Sequence, residues 1–177
     1  MDLRNEIHYN AITFTNMNLS PTRRYGLELE GKWALTNTLS GFANYTYTEA
    51  IFREGVYSGV NVAGNHIPVV PRHALTFGGT WHATPNTRLN TTVNYVGSQY
   101  FDNDQTNDFG QKIPAYTTVD LKLNHDIGNW TLSGAVNNLF NEKYYTYGIR
   151  STSTPGRYNA YPMPDRNFMF SAAYAFK

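Results

Sequence analysis

Aromatic and basic residues lie in the polar stretches between predicted strands, and they are the candidates for contact with a ligand. The best single candidate is His66, which lies in a long polar stretch. Rings can stack on a ligand and a guanidinium can supply positive charge, so this set suits an anionic, ring-bearing molecule. The same residues equally suit loops that pack against one another. The full candidate set is Tyr57, His66, Tyr100, Phe101, Arg150 and Arg157.

Catalytic and metal-binding patterns are missing from the sequence. There is no phosphate loop, G-x-G-x-x-G, H-E-x-x-H or G-x-S-x-G motif, and the five histidines are dispersed without metal-ligand spacing. No sequence pattern links a Ser–His–acid set, and one could be assembled only by choosing Ser58, His66 and Asp102. We therefore expect no catalytic residue, no resident metal and no cofactor, and we expect that the protein is not an enzyme.

An acidic stretch at residues 102–108 has the carboxylates of a calcium loop but not its pattern. It lacks the glycine at the sixth position and the glutamate at the twelfth. Asn and Asp side chains form local turns with their own backbone. The stretch therefore predicts a solvated, turn-rich loop, with a loose calcium site as the alternative.

Composition narrows the class of protein. Charged residues make up 15% of the 177 residues, against about a quarter in soluble domains, while aromatic residues also make up 15% and include 14 Tyr. The net charge of +1 predicts no nucleic-acid partner, and the absence of cysteine excludes disulfides and thiolate sites. No run of 18 apolar residues exists, so the sequence offers no membrane-spanning helix.

Apolar and polar residues alternate with a period of two along much of the chain. Side chains of a strand alternate between its two faces, so this rhythm predicts strands with one apolar and one polar face. The last segment shows it best, with one side formed by Phe168, Phe170, Ala172, Tyr174 and Phe176. Eight segments follow the pattern, and they span residues 3–9, 24–35, 39–50, 72–81, 88–96, 116–125, 130–140 and 166–176.

The predicted connections alternate between short and long. Short ones lie near residues 36–38, 83–86 and 126–129, and long ones near residues 10–23, 52–71, 97–114 and 147–164. Four aromatic residues fall at the short-turn end, where an interfacial girdle would lie: Trp33, Trp81, Trp130 and Phe176. These features predict an all-β fold, an antiparallel transmembrane β-barrel segment of about eight strands with short periplasmic turns and long extracellular loops. The alternative is a soluble β-sandwich.

Four stretches resemble the C-terminal part of a TonB-dependent outer-membrane receptor. Residues 15–30 resemble a loop and strand with the family pattern N…G-x-E-L-E, and residues 68–73 resemble P-x-x-P-x-H. Residues 136–145 contain N-L-F-N-x-x-Y, and residues 164–170 resemble the start of the closing strand. The four stretches occur in the expected order and cover almost the whole chain.

The resemblance implies a barrel of about 22 strands around an N-terminal plug, in which residues 1–177 form the last eight strands. It implies an outer-membrane receptor for a scarce small molecule, most often a ferric siderophore. The implied partners are outer-membrane lipid, that ligand, and TonB only through a missing N-terminal region. The alternative is a self-contained eight-stranded structural or adhesive barrel.

Overall fold

The computed structural model describes residues 1–10 and 14–176, and the chain is built from antiparallel strands. Among these residues, no helix is long and apolar enough to cross a membrane. The strands are β1 (Asp2–Leu3), β2 (Ile7–Asn10), β3 (Thr15–Asn18), β4 (Thr22–Ala34), β5 (Leu39–Phe52), β6 (Val56–Tyr57), β7 (Val60–Asn61), β8 (His73–Thr84), β9 (Thr87–Val96), β10 (Tyr116–Ile127), β11 (Trp130–Asn137), β12 (Tyr145–Arg150), β13 (Tyr158–Pro162) and β14 (Asn167–Tyr174).

Eight of these strands form one sheet in the order β1-β4-β5-β8-β9-β10-β11-β14. The other strands form three small two-stranded sheets, β2–β3, β6–β7 and β12–β13, within the long connections. Strand β1 pairs only Asp2 and Leu3 with the start of β4. No pairing joins β1 to β14 among the described residues, so the sheet stays open along both edges.

The register places apolar residues of neighbouring strands opposite one another. One row crosses four strands through Leu29, Tyr45, Leu75 and Tyr95. A second row, nearer to the short turns, crosses through Leu39, Trp81, Leu89 and Leu123. Paired residues in an antiparallel sheet point to the same face, so these rows form one continuous apolar face.

This apolar face is exposed. Leu29 keeps 55% of its surface accessible, Phe77 keeps 44% and Phe170 keeps 80%. A soluble sandwich would bury such a face against a second sheet. The main sheet has no second sheet packed on it among the described residues, and the sandwich alternative is therefore wrong for this structure.

The opposite face is polar, and its side chains hydrogen-bond across strands. The Thr76 hydroxyl donates to Asn94 Oδ1 at 3.0 Å, and the Thr80 hydroxyl donates to Asn90 Oδ1 at 2.8 Å. Further along the sheet, Ser133 donates to Asn124 at 2.8 Å. Each bond satisfies two groups that lie side by side, which favours this register over a slip by one residue.

The connections alternate between tight turns and long excursions. Residues 35–38, 85–86 and 128–129 form the turns at one end of the main sheet. The long connections, residues 53–72, 97–115 and 138–166, all lie at the other end. The buried apolar cluster lies at this long-loop end, where Ala50, Phe52, Val62 and Ile67 pack together. A single-layer sheet has no interior of its own, so the loops supply the core.

The predicted segments after the first agree with strands of the main sheet, but the first is wrong. Residues 3–9 are not one strand, because β1 ends at Leu3 and β2 joins a separate hairpin. Asn5 has a φ of 61°, in the left-handed region, which interrupts the extended chain between them. The seventh segment ends at Asn137 rather than at residue 140, since Asn138 also has a positive φ. The predicted loop at residues 147–164 overlaps the β12–β13 hairpin.

We expect Gly78→Ala to destabilise the sheet. A Cβ at Gly78 would lie 2.2 Å from the carbonyl oxygen of Thr91 and 3.0 Å from the Phe42 ring. The resulting overpacking should cost about 1–3 kcal/mol of unfolding free energy, measured by refolding titration in lipid vesicles of the outer-membrane protein that contains this chain. The matched control is Gly134→Ala, where the nearest atom is 3.5 Å away and we expect no loss. Equal stability of the two variants would contradict the close approach at Gly78.

Candidate ligand-binding site in the long loops

Glu49, at the end of β5, is the centre of a polar cluster beneath the loops. Its carboxylate accepts hydrogen bonds from the Tyr47 hydroxyl at 2.8 Å and from Arg72 Nε at 2.9 Å. His66 Nδ1 lies 3.2 Å from the other carboxylate oxygen. The side chain of Glu49 is buried, so these partners compensate for the loss of its hydration. Glu49 therefore fixes His66 in place.

His66 and Tyr100, two of the sequence candidates, lie together. Their rings stack with centroids 5.7 Å apart, and Lys112 Nζ lies 4.2 Å from the centroid of the Tyr100 ring. Burial lowers the pKa of His66 below its ordinary value of 6.5, although Glu49 opposes that shift. His66 is therefore mainly neutral at pH 7, and Lys112 supplies the positive charge of this pair of rings.

Arg150 is paired with acidic residues of the neighbouring loop. Its Nη1 donates to Asp104 Oδ1 at 2.9 Å and to the Asp108 carboxylate. Burial raises the pKa of Asp104, against the opposing effect of Arg150, because its side chain has no exposed surface. Hydrogen bonds from Thr106 and Arg150 lower the pKa of Asp108. The positive charge of Arg150 is therefore largely neutralised by these two carboxylates.

Two asparagines join the loop of residues 53–72 to the loop of residues 97–115. Asn107 Oδ1 accepts the backbone N–H of His66 at 2.7 Å, and Asn107 Nδ2 donates to the carbonyl of His66 at 3.0 Å. Asn65 Nδ2 donates to the carbonyl oxygens of Gln105 and Thr106, at 3.0 and 2.9 Å. These bonds make the two loops one unit.

A cavity of about 300 Å³ lies beside this unit, and two further sequence candidates line it. Tyr57 enters from the β6–β7 hairpin and Arg150 from the end of β12. The other polar residues of the wall are Ser58, Asn103, Thr106, Asp108, Ser151 and Thr152. The candidates therefore form two neighbouring groups, one around His66 and Tyr100 and one around the cavity.

The remaining two candidates lie elsewhere. Phe101 is wholly buried, with its ring centroid 4.5 Å from that of Tyr158 and 5.5 Å from that of Phe109. Three rings pack on Phe101 and leave it no exposed surface, so Phe101 is a packing residue in this structure rather than the ligand contact that the sequence predicts. Arg157 is exposed, and its carbonyl accepts a bond from the Ser151 N–H at 2.9 Å. It belongs to neither group.

Sequence reasoning missed Glu49, Asn103 and Asn107. The sequence predicts that residues 102–108 form a solvated, turn-rich loop, with a loose calcium site as the alternative. In the structure, two of its carboxylates pair with Arg150 instead. Within residues 1–10 and 14–176, no group of three or more His, Cys, Asp or Glu side chains is placed to hold a metal ion.

Comparison with known proteins agrees with the fold. Residues 1–139 match the family model described as TonB dependent receptor-like, beta-barrel. The metal-pseudopaline receptor CntO of Pseudomonas aeruginosa is 33% identical over 129 residues, which are 70% of this chain and 17% of that receptor. The ferrichrome outer membrane transporter/phage receptor of Escherichia coli is 31% identical over 140 residues, which are 71% of this chain and 18% of the transporter.

A solved receptor structure has the same strand architecture as this chain. The ferric yersiniabactin uptake receptor FyuA from Yersinia pestis superposes with a TM-score of 0.75 at 25% identity. The match covers 92% of this chain and 25% of that receptor. The chain thus spans less than a fifth of the length of CntO and of the ferrichrome transporter, and a quarter of FyuA.

We expect Asn107→Gly to separate the two loops. Glycine accepts the φ of 55° at this position, so the variant removes the side-chain bonds without straining the backbone. Hydrogen–deuterium exchange at the amide of His66 should rise by about three- to tenfold, the equivalent of one lost hydrogen bond. Asn5→Gly, an exposed asparagine with a φ of 61°, is the control. Unchanged exchange at His66 would show that Asn107 does not hold the loops together.

Proposed function

This chain belongs to the TonB-dependent receptor-like β-barrel family. We propose that it forms the C-terminal part of the barrel wall of a receptor that imports a metal chelate, namely a ferric siderophore. The relatives are receptors and transporters by name, not enzymes. The chain is an outer-membrane protein segment, in keeping with its family. The observation that carries the proposal is the open single-layer sheet with an exposed apolar face.

The exposed face suits contact with lipid. Large apolar side chains lie on it over several strands, while the other face carries hydrogen-bonded Thr, Ser and Asn. In a large barrel the polar face would line the interior, where water or a plug would meet it. Ion pairs on that side, such as Arg88–Asp126 at 3.1 Å, are tolerated in such a setting. We place the long loops outside the cell and the short turns in the periplasm.

The open edges argue against the self-contained small barrel. Closing the sheet would pair β14, which has eight residues, with β1, which has two. Most backbone groups on the free edge of β14, the edge away from β11, would then lack partners within the membrane, and each would cost several kcal/mol. A larger barrel supplies strands on both sides and removes both edges. We therefore favour residues 1–177 as part of a larger wall, with contact to TonB made by residues outside this chain.

The loop residues are proposed to form two separate sites, of which the surface around His66 and Tyr100 contacts the imported chelate. His66, Tyr100 and Lys112 form a partly exposed aromatic and cationic surface suited to a ring-bearing chelate with negative charge. Arg157 is exposed and free to add positive charge from the 151–157 loop. Tyr57 and Arg150 line the neighbouring cavity.

Uptake assays test the proposal. In a strain in which the gene that encodes this chain is deleted and then restored, uptake of radiolabelled ferric siderophores under iron limitation should depend on that gene and on TonB. The double variant His66→Ala with Tyr100→Ala should weaken apparent affinity by about 2- to 10-fold, since aromatic contacts are worth about 0.5–1.5 kcal/mol. His82→Ala, on β8 near the short turns, is the control. Uptake that persists without TonB would overturn the proposal.

Substitutions on the two faces should differ in cost. Leu121→Arg, on the apolar face near the middle of β10, should lower the unfolding free energy in lipid by about 2–4 kcal/mol. Thr92→Arg, on the polar face opposite Asp120, should cost little. Val93→Arg and Asn94→Arg repeat the comparison on β9. Refolding titrations in vesicles measure these values, and equal penalties on the two faces would contradict the lipid-facing assignment.

A further inference from the structure

Six of the ten residues that line the cavity beside the loop unit carry neutral polar side chains. Ser58 and Thr152 are exposed, Thr106 and Ser151 are half-buried, and Tyr57 and Asn103 lie deeper. Its volume of about 300 Å³ lies at the lower end of the range for small-molecule pockets, so it suits a single small ring. Hydroxyl and amide groups both donate and accept hydrogen bonds, so they suit a ligand whose own groups do both.

Two polar groups in this wall lack partners. The Tyr57 hydroxyl and both polar atoms of the Asn103 amide are buried without a hydrogen bond, and Asn103 keeps only 6% of its surface exposed. Proteins rarely leave buried polar groups unpaired, so each such group needs an explanation. The groups have no exposed surface in this conformation, and a ligand would reach them by a side-chain rotation. That rotation breaks no hydrogen bond of the Asn103 amide or the Tyr57 hydroxyl.

The backbone around Asn103 holds this side chain at the cavity. Its φ is 64°, which asparagine tolerates better than most residues, and its N–H donates to Asp102 Oδ1 at 2.8 Å. Burial raises the pKa of Tyr57, so its phenol stays protonated and neutral over the physiological range. Both groups therefore offer neutral donors and acceptors from a fixed backbone.

The charge around the cavity disfavours an anion. Arg150 is the cation of the wall, and the carboxylates of Asp104 and Asp108 already bind it. Asp102 lies close enough to act on Tyr57 electrostatically. Because the guanidinium of Arg150 is already paired with two carboxylates, an anionic ligand would have to compete with them for it. This argues against the sequence expectation that Arg150 recognises an anionic ligand.

We propose that the cavity bounded by Tyr57, Asn103, Ser151 and Thr152 binds a neutral polyhydroxylated ring, a hexose-like sugar. The Asn103 amide pairs with two ligand hydroxyls as donor and acceptor, and the Tyr57 phenol pairs with a third. The side-chain hydroxyls of the rim pair with the outer edge of the ring. This site is separate from the aromatic surface at His66 and Tyr100, and it does not depend on the import of a metal chelate.

Saturation-transfer difference NMR tests this site, with methyl α-D-glucopyranoside as the probe. The sample is the outer-membrane protein that contains this chain, in a detergent without a sugar headgroup, so that micelles do not compete. Binding should be weak, with a Kd of order ~1 mM, as expected of so small a ligand. Citrate, a small anion rich in oxygen, should show no competing binding.

Two variants locate the binding. Tyr57→Phe removes only a hydroxyl, and Asn103→Gly removes the amide while keeping the positive φ. Each should weaken binding of the glucoside by about three- to tenfold, and Asn5→Gly should leave it unchanged. Circular dichroism confirms that each variant is folded. Three results would each overturn the proposal. The folded protein could show no saturation transfer to the glucoside at a concentration about tenfold above the expected Kd. All variants could bind the glucoside equally, or the protein could bind citrate in preference to the glucoside. Iron uptake enters none of these readouts, so failure here leaves the import proposal standing.

Discussion

The structure depends on the need to pair every backbone N–H and C=O group of a strand that crosses lipid. Hydrocarbon offers no partner to these groups, so each strand must bond to neighbours on both sides. The main sheet meets this need from β5 to β11, where long antiparallel ladders run without a break apart from one irregularity near His82. Once the ladders fix the register, the alternation of side chains sends apolar residues to one face and polar residues to the other.

The same constraint explains why the core lies in the loops. A single sheet between lipid and a polar interior has no dry layer against which to pack. The buried residues gather instead where the chain leaves the sheet, around Phe52, Val62 and Phe101. Buried polar residues such as Glu49 and Asp104 lie there as well, each with a cationic partner from another segment. Loops that carry their own core hold their side chains in fixed positions, which a binding surface requires.

The sequence predicted the strands well because their signal is local. Residues 39–50 and 116–125 were read as strands from alternation alone, and the structure has Leu39–Phe52 and Tyr116–Ile127. The loop site was predicted only in part, because its contacts join distant residues. Arg150 and Asp104 are 46 residues apart, and no periodic pattern links them. The left-handed backbone of Asn5 was also missed, since asparagine is common in this chain and few positions adopt a positive φ.

The order of strands in the main sheet has a consequence for how the molecule forms. From β4 to β11, neighbours in the sheet follow one another along the chain, apart from small hairpins inserted in the loops. Each new strand therefore pairs with the free edge of the strand before it. Every second connection is a short turn, and a short turn keeps the entropic cost of loop closure low. Such a meander can grow one hairpin at a time, with each completed hairpin as the template for the next. Assembly of this part of the wall therefore requires no connection that crosses the sheet.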